Sequence, residues 1–280
     1  MTNATHFGSM GKHMNTSIRE ETIHAQSFFV PPGMDNLKRA EEIRCARFGF
    51  DARIATLPDI IDARLASSFD SPAWHLPYIT TTTAIYVGHV KSGLPLLVIA
   101  HGIGPMATLD AAYEFSRTSA DIAFERKKMF AKLVRGEYGE VSILKLCDVL
   151  DALDSMSGIL TYRDALEHLF VTPLLGPRTE EYLRILAQSD MRRIHPLEEC
   201  HVMFSRFGFE RYDLFHNSGD DPIGFFVHAD IVGRHSCEEP CTSYCSKFSV
   251  CHPDTATRFV AVRGLGSLTG ISTGEGEIRA

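Results

Sequence analysis

The residues best placed to do chemistry sit in glycine turns that follow apolar runs. Leu94 to Ala100 is an unbroken apolar stretch that breaks into His101-Gly102-Ile103-Gly104-Pro105 before a helical pattern resumes through Phe115. Two glycines let a backbone turn tightly and come close to a ligand. Pro105 suits the first turn of a helix, where a missing N–H costs nothing. The free N–H groups of such a helix start favour an anion or a polar ligand edge. The pattern predicts strand, turn and helix, with a ligand edge at the C-terminal end of the strand. An ordinary strand-to-helix turn of an α/β core carries the same signature. A second chemistry is that of thiols. Cys237, Cys241, Cys245 and Cys251, followed by His252, form a C-x3-C-x3-C-x5-C-H run. On a helix over 238–251, Cys237, Cys241 and Cys245 share one face. With Cys251, His235 or His252 they make the four ligands that zinc takes. Cysteine is also among the residues most often buried for packing alone. The zinc site is therefore the alternative to a chain without a metal.

These groups need elements to hold them. Ser27 to Val30 runs into Pro31-Pro32-Gly33, and Asp35 to Phe48 has a helical pattern that Asp35 or Asn36 can cap. Thr80 to Val90 is rich in β-branched residues, alternates, and predicts a hairpin with Leu94 to Ala100 through Lys91-Ser92-Gly93. Thr118 to Leu133 is helical and charged, and Arg135-Gly136-Glu137-Tyr138-Gly139 is a third glycine turn. Further helices are expected over 164–170 and 179–189. Strands are expected over 202–204, 225–232 and 258–262. A helix is expected to start at Glu238, with Pro240 in its first turn. The fold class this predicts is α/β, a single domain with a mixed central β-sheet flanked by helices. Its expected parts are a mobile segment over 1–26, the α/β body over 27–263 and a loose tail over 264–280.

Composition narrows the functions. The chain has 280 residues, 44% hydrophobic and 22% charged, which is ordinary for a globular protein. Its net charge is −7 and no basic stripe with interleaved aromatics occurs, so nucleic acid is not an expected partner. No apolar run reaches the 18 to 20 residues or so of a membrane span, which argues against a membrane partner. The start lacks an apolar signal core. With seven cysteines and no signal core, a cytoplasmic location with reduced thiols is expected.

Several of these pieces resemble, in order, the uridine phosphorylase branch of the nucleoside phosphorylase family. Phe28 to Arg39, FFVPPGMDNLKR, is similar to that family's Pro-Gly-Asp-Pro-x-Arg phosphate loop, and Thr82 to Glu114 to its hairpin ending in Gly-Ile-Gly. Val134 to Val141, Cys147 to Leu150 and Phe209 to Asp213 (FERYD) resemble its later motifs. The resemblance implies cleavage of the N-glycosidic bond of a pyrimidine nucleoside by phosphate, which serves as co-substrate, with no other cofactor. It implies that Gly33, Lys38 and Arg39 bind phosphate, completed by Arg135 and Gly136. Ile103 and Gly104 approach the ribose. Arg211 donates to a base carbonyl, because a guanidinium makes bidentate contacts to planar acceptors. Arg211 can equally pair with Glu210 or Asp213. His13 sits about where a neighbouring subunit of the family lends a histidine, so a homo-oligomer is implied.

The departures from the family shape the alternatives. Glu137 stands where the family has threonine, and a carboxylate there repels phosphate and favours water. Phe209 replaces the base-reading glutamine. The family's Glu-Met-Glu motif has its nearest counterpart in Glu238-Glu239-Pro240, which makes Glu239 the candidate that grips the ribose. The alternative is a non-catalytic binding or regulatory relative, zinc-containing if the cysteine run holds metal. Two other enzyme signatures fail. His228-Ala229-Asp230 with Pro240-Cys241 departs from the zinc deaminases in its aspartate, its cysteine spacing and its short span. The His101 turn lacks the G-x-S-x-G elbow that an α/β-hydrolase needs.

Overall fold

The computed structural model describes residues 24–31, 35–87, 95–117, 120–145, 148, 159–188, 201–204, 220–234, 244–251, 258–264, 268 and 270–273. Helices and strands are interspersed along the chain, and the strands form two sheets. The smaller runs β11 (Ser272–Thr273), β1 (His24–Phe29), β10 (Arg258–Arg263), β2 (Arg53–Ile54). The larger runs β5 (Ser142–Lys145), β4 (Leu96–His101), β3 (Tyr78–Val87), β8 (Ile223–Arg234), β9 (Tyr244–Cys251), β7 (His201–Phe204), β6 (Ile159–Thr161). Neighbours are antiparallel except for β1 with β11 and β7 with β9.

The α/β class and the β3–β4 hairpin agree with expectation, but one central sheet does not. Strand β1 was expected to open a strand–turn–helix unit of that sheet. It pairs instead with β10, more than 200 positions further along the chain, and Phe28 faces Phe259 with their rings stacked at 5.7 Å. A glycine turn fixes the local path of a chain and says nothing about which strand will be the partner.

Strand β3 is buried along its whole length. Its side chains alternate between two apolar layers, as a pleated strand requires. Tyr78, Ala84 and Tyr86 join one layer with Leu97 and Ile99 of β4. That layer is closed by α2 (Leu57–Ala66), α3 (Pro72–His75), α7 (Val171–Leu175) and α8 (Thr179–Gln188) through Ile60, Trp74, Leu174 and Tyr182. Ile79, Ile85 and Val87 join the other layer with Val98 and Ala100. There α1 (Asn36–Phe48), α4 (Leu109–Ser116) and α5 (Ala120–Val134) contribute Leu37, Ala112 and Phe130. Each such large apolar side chain stabilises the fold by about 1.5–3 kcal/mol. The short α6 (Tyr162–Glu167) packs against the first layer through Ala165. Among the described residues no helix is long and apolar enough to cross a membrane.

Four consecutive threonines, Thr80 to Thr83, lie in the buried centre of β3. Buried hydroxyls need partners, and these have them. Thr80 Oγ1 donates to the Val227 carbonyl at 2.9 Å, Thr81 to Ile54 at 3.1 Å and Thr83 to Ala100 at 3.5 Å. The register between β3 and β8 shifts between Ile79 and Thr83, a bulge that frees backbone groups there. Thr81 N then donates to Ala55 O at 3.0 Å, and Ala55 N donates to Val260 O at 2.9 Å. Ala55 thus ties the two sheets together.

The helix expected from Glu238 is replaced by a strand over 244–251. Cys245 and Cys251 fall on β9, whereas Cys237 and Cys241 lie outside the described residues. Cys245 therefore lies on a strand and not on the helix expected over 238–251.

Candidate functional site

The glycine turn after β4 is built for packing. Gly102 has φ 66° and Gly104 φ 90°, the left-handed region that side chains rarely adopt. A Cβ on Gly102 would stand 2.9 Å from Thr56 Cγ2, and one on Gly104 2.9 Å from Leu133 Cδ1. The glycines thus let α2 and α5 close on the turn. No helix starts at Pro105. Thr108 caps α4 instead, its side chain accepting from Ala111 N at 3.2 Å.

His101 is tied down at both nitrogens. Nε2 lies 2.9 Å from the Pro173 carbonyl, which only accepts, so Nε2 carries the proton. Burial lowers its pKa below the ordinary 6.5, against a smaller opposing effect of that hydrogen bond. The ring is therefore neutral, Nδ1 accepts, and the Thr82 hydroxyl donates to it at 2.8 Å. Thr82 Oγ1 in turn accepts from Leu57 N at 2.8 Å. The imidazole joins β3, β4, α2 and α7 and has no nitrogen left for a substrate. His168 is also held below 6.5 by burial.

Both shifts have the same sign for stability. An unfolded imidazole takes up its proton near pH 6.5, and the folded rings resist protonation below that pH. The unfolded state then binds more protons, so stability is fully present above about 6.5 and is lost as pH falls. Glu41, lowered chiefly by its hydrogen bond from Arg44, adds a further loss below its ordinary 4.5. The urea midpoint is expected to be level from pH 8 to 7 and to drop from about 6.5 downward. A midpoint unchanged down to pH 5.5 would contradict this account of the two histidines.

The other residues singled out in the sequence are partly gathered and partly scattered. The turn Arg135 to Gly139 packs against the His101 turn, since a Cβ on Gly139 would meet Ile103 Cδ1 at 3.2 Å. Of the residues in that turn, Gly139 is the one that meets Ile103, whereas Gly104 faces Leu133. Arg135 and Glu137 are exposed and paired with each other at 2.7 Å, so the carboxylate occupies Nε and Nη2 of the cation expected to hold phosphate. Lys38 and Arg39 are exposed on α1 and line neither of the cavities described below. His13, Gly33, Phe209, Arg211, Glu238 and Glu239 lie outside the described residues.

Two cavities flank α5. One, of about 440 Å³, opens beside the glycine turn and is lined by Gly104, Pro105, Phe115, Ile122, Met129 and Tyr138 among others. The larger, about 650 Å³, lies on the other side of the helix. Its apolar lining is Val87, Leu96, Phe124, Phe130, Val134 and Pro222, with Ala131 on the helix between them. Its polar lining is Lys127, Lys128, Arg135 and Asp220. Phe124, Lys127, Lys128, Ala131 and Arg135 recur at helical spacing and so share one face. The buried Arg126 fixes that helix: its guanidinium grips Asp221 with both Nε and Nη2, and Nη1 donates to the Phe115 carbonyl at 3.1 Å. Lys127 pairs with Asp220 at 2.7 Å. Phe124 is 68% exposed, an unusual position for so large an apolar ring. The sequence showed this helix as merely charged. An aromatic residue on the same face as three cations was the signal available.

No family model matches the sequence, and no curated protein does. A solved structure does. This chain is similar in fold to a C-type lectin fold protein. That protein is nanoarchaeal, described by the words "accommodation of massive sequence variation in Nanoarchaeota by the C-type lectin fold". The match has a TM-score of 0.54 at 18% identity and covers 86% of this chain and 98% of the other. At that identity the likeness speaks for the fold alone. It overturns the nucleoside phosphorylase resemblance, and with it the glycosidic cleavage that the resemblance implied. The physical reason is visible in the motifs. Gly102 and Gly104 admit neighbouring side chains, Arg135 is paired with Glu137, and the strands joined by these turns belong to largely antiparallel sheets.

Proposed function

We propose that this chain is a binding module without a chemical step of its own, and that its site is the larger cavity beside α5. The observation that carries this is the 650 Å³ cavity itself, apolar inside and ringed by charged side chains. That size is typical of small-molecule sites, which are mostly apolar with a few polar groups. The half-buried imidazole nearest a glycine turn, His101, is fully engaged in holding elements together. The nanoarchaeal neighbour is described as accommodating massive sequence variation. A scaffold of this kind suits a role in which the recognition surface changes while the frame persists, and this reading by fold analogy agrees with the cavity.

The test uses a neutral apolar dye. Nile red is expected to bind saturably at one site per chain with enhanced emission. Ala131→Trp, placed on an exposed position of the cavity wall, is expected to weaken that binding at least about tenfold while leaving the melting temperature within about 2 °C, as surface substitutions generally do. Unsaturable binding, or equal binding by the variant, would overturn the assignment.

A further inference from the structure

From the charges around this cavity we infer that its ligand is a small organic anion: a carboxylate or sulfonate on an aromatic or branched apolar body. The inference rests on the binding reading above and adds the chemical class. The chain as a whole carries −7, so a cationic rim is a local feature set against the overall charge. Among the lining residues three are cations, Lys127, Lys128 and Arg135, and one is an anion, Asp220.

The carboxylates that face these cations leave part of that charge uncommitted. Asp220 is taken up by Lys127 at 2.7 Å. Lys128 lies 3.7 Å from Glu125, beyond hydrogen-bonding distance, and Glu125 lines the smaller cavity on the other side of the helix. Arg135 holds Glu137 through Nε and Nη2, and Glu137 is not among the lining residues. A guanidinium has five donors in a fork, so Nη1 is still available to an acceptor. Beside these heads lie Phe124 and Phe130, Val87, Leu96 and Val134. Aromatic faces accept an apolar body, and partial exclusion from water strengthens the attraction of an anionic head to Lys128 and Arg135. A cationic ligand would meet three like charges, and a purely apolar one would make no use of the donors left on Lys128 and Arg135.

The experiment uses three probes with one ring system: naphthalene-2-sulfonate, 2-naphthylmethanol and 2-naphthylmethylammonium, titrated calorimetrically into the full chain. The sulfonate is expected to bind about tenfold more tightly than the alcohol, the combined effect of two or three partly exposed ion pairs. The ammonium is expected to bind more weakly than both. Raising the salt from 0.05 to 0.5 M is expected to shrink the sulfonate's advantage and to leave the alcohol unchanged. Lys128→Gln and Arg135→Gln, both at exposed positions, are each expected to cut the sulfonate-to-alcohol ratio about two- to threefold. Equal affinity for sulfonate and alcohol, or a preference for the ammonium, in protein that binds Nile red would overturn the inference and leave the binding reading standing. No binding of any probe, Nile red included, by folded protein would overturn both.

Discussion

Replacing Arg64 by alanine is expected to lower the stability of this protein by about 4 kcal/mol, seen as a matching fall in the urea-unfolding free energy. Arg64 is completely buried. Its Nε donates to the Ala73 carbonyl at 2.8 Å and its Nη1 to the Tyr182 hydroxyl at 2.7 Å. Its guanidinium lies 5.8 Å from the Trp74 ring centre, and Trp74 stacks on Tyr182 at 5.9 Å. One side chain thus ties α2 to α3 and α8. Alanine would remove the donor that each of the two buried oxygens receives, at roughly 1 kcal/mol each. It would also leave a cavity where the aliphatic stem packed, worth about another 2 kcal/mol. Arg64→Lys keeps a cation but cannot fork to both acceptors, so about half that loss is expected. A loss below about 1 kcal/mol for the alanine variant would mean that the guanidinium is not what joins these helices.

The parts of the fold that were readable are those whose signal is local. The β3–β4 hairpin follows from β-branched residues, a glycine turn and an apolar run. The helices over 120–134 and 179–188 follow from helical spacing and charge. The rest depends on partners far away in the chain. Thr80 to Thr83 read as part of a β-branched strand, but nothing local says that both its faces are buried, which distant carbonyls such as that of Val227 permit by satisfying the hydroxyls. Thr82 serves two elements at once, and no spacing rule announces that.

The misreadings have definite causes. Pro240 behind two acidic residues suggested a helix, but Tyr244, Ser246, Phe248 and Val250 alternate with Cys245, Lys247, Ser249 and Cys251, and the period of two prevailed in β9. Pro105 suggested the start of a helix, but Thr108 offers a side-chain oxygen to Ala111 N and sets the boundary. The candidate site was hidden for a related reason. The cavity brings together Val87, Leu96, Pro222 and one face of α5, which come from four separate stretches of the chain. Gly102 and Gly104 stood out because glycine in a turn has a recognisable pattern. Their use is to admit Thr56 and Leu133, which only the packed structure reveals.

Thr82→Val is expected to cost about 3 kcal/mol although it changes the shape of the side chain very little. Valine keeps the branched volume in β3 but can neither accept from Leu57 N nor donate to His101 Nδ1. The Leu57 amide belongs to a buried residue at the first turn of α2, so its loss of partner carries the larger share. His101→Phe removes the same hydrogen bond from the other end and frees the Pro173 carbonyl as well. If the imidazole and the hydroxyl act as one link, the two losses will not add: the double variant should recover about 1 kcal/mol relative to their sum. The phenylalanine variant should also show a smaller fall in urea midpoint between pH 6.5 and 5, because one imidazole that takes up a proton only on unfolding has been removed. Strict additivity together with an unaltered acid limb would separate Thr82 from His101, and would leave the orientation of α2 and α7 against the sheet to apolar packing alone.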